Sequence, residues 1–81
     1  MIELAPHISV KIVSAGRLCV LFRGGVRRLV LAKYAARWHA HDAGAGFELL
    51  ADLGLATEEA AITKAVAILR NDEPMHTGDA A

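Results

Sequence analysis

Two stretches of this 81-residue chain hold side chains that could do chemistry: Trp38-His39-Ala40-His41-Asp42, and the single Cys19 among Arg17, Arg23, Arg27 and Arg28. Two imidazoles and a carboxylate so close together suggest a metal site. The backbone decides, because residues two apart point to nearly opposite sides of a helix but to the same side of a strand. From Lys33 the chain reads as helix, with Leu31, Tyr34, Ala35 and Trp38 at helical spacing and alanine favouring that state. On a helix His39 and His41 cannot share an ion. Zinc also wants three or four ligands, and His7 and His76 lie near the chain ends. The expectation is a solvated helix end with His41 near the C-terminal dipole.

A nucleophilic cysteine needs a base and an accessible, electropositive setting. Cys19 sits mid-strand among arginines with no base placed beside it, so it is expected to be a small structural residue. Gly24-Gly25 and Gly44-Ala45-Gly46 lack the spacing and flanking elements of a phosphate-binding loop. No catalytic residue, metal or cofactor is therefore expected, and the chain reads as a non-enzyme.

The arginines must be positioned by strands. Alternation in His7-Ile8-Ser9-Val10-Lys11-Ile12-Val13 and in Leu18-Cys19-Val20-Leu21-Phe22 is that of half-buried strands. Ser14-Ala15-Gly16 reads as a three-residue hairpin loop and Gly24-Gly25 as a two-residue one. Together they pair Val10 with Val20 and Val20 with Leu29. The predicted dry face is Ile8, Val10, Ile12, Leu18, Val20, Phe22, Leu29 and Leu31, with Arg27 at its open edge. The reverse face carries Lys11, Arg17, Arg23 and Arg28 interleaved with Val13, Cys19, Leu21, Val26 and Val30. Residues 8–32 are thus expected to form a three-stranded antiparallel meander, with two or three helices packed on its apolar face, an α+β fold.

The helices are expected from about Lys33 until Gly44 and Gly46 interrupt, over Phe47–Gly54 with Gly54 as C′ and Leu55 packed behind it, and over 58 to about 70. Thr57 is a good N-cap for the last, Glu58 and Glu59 suit its dipole, and Ile62, Ala65, Val66 and Leu69 share a side. Residues 1–73 read as a single domain and 74–81 as a flexible tail.

Net charge is zero, yet residues 1–41 hold seven cations against Glu3 and residues 42–81 hold eight acids against Lys64 and Arg70, a split of +6 and −6. Either the halves neutralise each other in the fold or a homodimer, or each meets a partner. A lone cysteine suits a reducing compartment, and the N-terminus lacks the basic and apolar regions of a secretory signal. The expected location is cytoplasmic, with no membrane partner. A helix-turn-helix over residues 47–66 is disfavoured because Glu58 and Glu59 would open the recognition helix.

Arginine interleaved with Leu21, Val26 and Val30 has the composition of a protein interface. The candidate partner-binding residues are therefore Lys11, Arg17, Leu21, Arg23, Arg28 and Val30, with Leu21 a replaceable surface residue. An acidic set, Glu48, Asp52, Glu58, Glu59 and Asp72, could instead imitate phosphates. In size, layout and lack of motif the chain resembles small orphan proteins of phages and mobile elements, including anti-CRISPR inhibitors. That resemblance implies a phage-encoded, non-enzymatic protein-binding module that blocks the nucleic-acid-handling surface of a host nucleoprotein complex. The alternative is a small regulator that binds nucleic acid through its basic sheet face.

Overall fold

Strand alternation extends well beyond residue 32. The computed structural model describes residues 1–44 and 46–71. It has six strands, β1 (Ile2–Ala5), β2 (Ile8–Ser14), β3 (Leu18–Arg23), β4 (Val26–Tyr34), β5 (Arg37–Asp42) and β6 (Leu49–Gly54), and one helix, α1 (Glu58–Asn71). Each strand pairs antiparallel with the next, giving a six-stranded meander. The α+β class holds, but three strands over 8–32 followed by two or three helices is overturned. Residues 33–42 lengthen β4 and build β5, and Leu49–Gly54 is a strand. Gly54 ends that strand with φ +81°, and Leu55 is exposed rather than packed behind a helix. The expected tail, 74–81, lies outside the described residues.

Tyr34 pairs with Arg37 across Ala35-Ala36, whose φ angles are +54° and +64°. That is a two-residue turn with both central residues left-handed, the type I′ geometry that favours Asn-Gly. A left-handed L-residue costs about 1–2 kcal/mol. Ala35→Asn with Ala36→Gly should therefore stabilise the fold by about 1–2 kcal/mol, seen as a higher urea midpoint at constant slope. A midpoint that stays or falls would contradict this turn.

Two bulges decide which face is dry. Pairing shifts between Ile12 and Ser14 on β2, and between Leu21 and Phe22 opposite β4. Val10 therefore faces Leu21 instead of Val20, and Leu21 faces Leu29. A one-residue slip exchanges the two faces of a strand. β3 is accordingly inverted from expectation: Cys19 and Leu21 are fully buried, and Leu18, Val20 and Phe22 lie half-buried on the other side. The Gly24-Gly25 turn itself is as expected, joining Arg23 to Val26 with φ +61° and +82°.

The core lies between the sheet and α1, which packs across β3, β4 and β5. Ile8, Val10, Cys19, Leu21, Leu29, Leu31, Trp38, Ala40 and Leu53 meet Ala61, Ala65 and Leu69. Alanine at 61 and 65 lets the helix lie close to the strands. The Thr57 hydroxyl accepts the Ala60 N–H at 3.1 Å, the expected N-cap. Glu58 accepts the Gly16 N–H at 2.7 Å, tying the helix start to the β2–β3 turn. Lys64 Nζ donates to the Leu53 carbonyl at 3.0 Å, and Arg23 donates to that of Leu69 at 3.4 Å, near the negative end of the helix dipole. No helix among the described residues is long and apolar enough to cross a membrane.

Candidate interaction surface on the open sheet face

Directly opposed residues of antiparallel strands share a face, and the register traces rows across the side of the sheet away from α1. One row is Glu3, Ser9, Phe22 and Arg27. The next is Lys11, Val20, Val30, His41 and Leu49, and the third is Leu18, Ala32, His39 and Asp52. Tyr34 and Arg37 follow. Arg28 is the extra residue of the β4 bulge, so it and Arg27 oppose Phe22 together. Among the described residues no element covers this face.

Its centre is aliphatic, with Leu18, Val20, Val30 and Ala32 half-buried against one another. Lys11, Arg27 and Arg28 border one side. On another border Arg37 Nε lies 3.1 Å from the Asp52 carboxylate. The hydrogen bond from Arg37, then that from the Gly54 N–H, hold the Asp52 carboxyl below the usual carboxylate range. Both side chains are about half-exposed, so the pair adds little to stability.

A ring cluster occupies β4 and β5. Tyr34 stacks on His39 with centroids 3.9 Å apart and planes 8° apart, and His41 lies 6.3 Å from Tyr34 and 6.4 Å from His39. His41 Nδ1 donates to the Phe47 carbonyl at 3.0 Å. His39 is buried, and its Nδ1 has no hydrogen-bond partner. The helical placement of these histidines is corrected: β5 puts both on one face. Among the described residues no three His, Cys, Asp or Glu side chains gather to hold a metal ion.

The candidate binding residues scatter. Lys11, Arg28, Val30 and Asp52 share the open face. Arg17 is exposed in the β2–β3 turn, and Arg23 lies on the helix side. Leu21 is in the core, a correction that follows from the inverted β3. Glu48 is exposed before β6, Glu58 turns inward to Gly16, and Glu59 is exposed on the first helical turn. The structure thus brings no acidic face together from Glu48, Asp52, Glu58 and Glu59, and Asp72 lies outside the described residues. Sequence reasoning missed Phe22, Tyr34, Arg37 and Leu49 as members of the open face. Strand parity carried on through Tyr34 and Arg37 was the signal that could have found them.

Cys19 Sγ lies 3.5 Å from Glu58 Oε2. Burial, then the charge of Glu58 and its hydrogen bond, push the thiol up to about 12. That is the opposite of an activated nucleophile. No protein-family model, curated protein or solved structure matches the chain.

Proposed function

We propose that the protein is a non-enzymatic binding module whose helix-free sheet face docks on a protein partner with an apolar centre and an acidic rim. The observation that carries this reading is the aliphatic patch of Leu18, Val20, Val30 and Ala32, bordered by Lys11, Arg27 and Arg28 and covered by no described element. Protein interfaces have this anatomy, a desolvated apolar centre with arginine enriched around it. Cations outnumber Glu3 and Asp52 on the face, so a second copy there would set like charges together, and a partner of opposite sign is favoured. The narrower role, a phage-encoded inhibitor of the anti-CRISPR kind, rests on size and layout alone, and the module reading does not depend on it.

The test is to crosslink the protein in cells that produce it, identify and purify the partner, and titrate it with variants. Arg28→Glu with Val30→Asp should keep the native circular dichroism spectrum and lose binding by roughly 100-fold, as for two hot-spot residues. Ala15→Lys, exposed in the β2–β3 turn, should leave binding intact. Equal affinity of the open-face variant would overturn the reading.

One observation favours a second reading. Tyr34, His39 and His41 cluster beside Arg37, and aromatic rings with cations on a sheet face can stack the bases of single-stranded nucleic acid. Fluorescence anisotropy with single-stranded DNA and RNA over roughly 50–200 mM salt separates the two. Affinity that falls steeply with salt, with a slope flattened by Arg28→Glu, would put nucleic acid in place of protein on this face. No binding at low salt leaves the face to a protein.

A further inference from the structure

The sheet is wider than the helix that covers it. Six strands span about 24 Å at their usual spacing, whereas a helix is about 10 Å across. With α1 over β3–β5, the same side of β1 and β2 is left with Ile2 55%, Leu4 38% and Ile12 40% exposed. A groove of about 390 Å³ runs between β1 and α1, lined by Leu4, Ile62, Thr63, Val66, Ala67 and Arg70. On α1 the positions Glu59, Thr63, Val66 and Arg70 recur at steps of four, three and four, the spacing of a helix–helix seam. This stripe is separate from the buried Ala61, Ala65 and Leu69.

The stripe is complementary to its own reverse. Read antiparallel about a point between Lys64 and Ala65, Glu59 meets the partner's Arg70, Ile62 meets the partner's Ala67, and Thr63 meets the partner's Val66. The contact of Ile62 with Ala67 sets a larger side chain against a smaller one, and Thr63 and Val66 are nearly equal in size, so the helices can approach closely. Each end sets a carboxylate against a guanidinium. We propose that a second copy of this chain occupies the groove, its α1 packed antiparallel on α1 across a two-fold axis, with Leu4 flanking the pair. Arg70 also has a contact within its own chain, and the five donors of a guanidinium can serve two acceptors. A helix of 14 residues is about 21 Å long. Such a seam is small for a protein interface, so the dimer is weak and depends on concentration. This surface lies on the opposite side of the sheet from the open face and does not rest on the reading of that face.

Sedimentation velocity over a concentration series reaching the high micromolar range tests the proposal, with thermal melts to verify folding. The native chain should pass from monomer to dimer. Glu59→Arg alone and Arg70→Glu alone should each raise the midpoint at least about tenfold by opposing like charges. The double variant Glu59→Arg with Arg70→Glu, which restores both pairs in reversed sense, should recover the native midpoint. Ala67→Glu, an exposed change that puts a carboxylate against the partner's Ile62, should abolish the dimer. A chain that stays monomeric throughout, a double variant no tighter than the single ones, or a dimer indifferent to Ala67→Glu would each overturn the proposal.

Discussion

Leu21→Glu is expected to unfold the protein, while Val20→Glu, one position earlier, leaves it folded. Leu21 is fully buried and faces Val10 on one side and Leu29 on the other. Truncating such a leucine to alanine already costs about 2–5 kcal/mol. A buried carboxylate adds its desolvation, against a total stability of only about 5–15 kcal/mol. Val20 lies on the open face, opposite both Lys11 and Val30, where glutamate stays wet and gains a cation nearby. Near-ultraviolet circular dichroism of the buried Trp38, followed through urea unfolding, reads both variants. If Val20→Glu unfolds and Leu21→Glu does not, β3 faces the other way.

Cys19 is expected to react with iodoacetamide at pH 8 about a thousandfold more slowly than an unperturbed cysteine, because its thiol is pushed from 9.0 to about 12 and reaction needs the thiolate. Glu58→Gln removes the charge beside the thiol and should restore part of that reactivity. Stability follows with a definite sign. The folded thiol holds its proton longer than the unfolded one, so its contribution is complete below pH 9 and is lost as pH rises from 9.0 toward 12. Urea midpoints that do not fall across that window, or labelling at the free-thiol rate without denaturant, would refute the buried placement.

The parts legible in the sequence are those where local chemistry acts alone. Thr57, Glu58 and Glu59 mark the start of α1, and Gly24-Gly25 marks a two-residue turn. The face of β3 was not legible, because Leu18, Val20 and Phe22 and the alternate set Cys19 and Leu21 are both apolar. Parity in such a strand is chosen by the bulges at its flanks, and no residue type announces them. Residues 33–42 misled for a related reason: an Ala-Ala turn in the left-handed region carries no glycine signal, and alanine favours helix only while no sheet offers a partner. Phe47 to Gly54 has leucines at spacings that suit a helix, yet β5 holds this stretch in the sheet, His39 opposite Asp52 and Ala40 opposite Ala51. Of the candidate site, Lys11, Arg28 and Val30 were placed together by alternation within their own strands. Leu21 was carried to the wrong side with the rest of β3.

The covering element is the last of the described elements in chain order. All six strands pair with their sequence neighbours, so the sheet can zip up hairpin by hairpin as the N-terminal part leaves the ribosome. Until Ala61, Ala65 and Leu69 have also left the ribosomal tunnel and docked, Leu21, Leu31 and Trp38 have no lid. For that interval the nascent ribbon shows water two greasy sides and two unpaired edges. A chaperone that recognises apolar sheet would find its substrate here, and translation stalled before Glu58 would leave an aggregation-prone fragment.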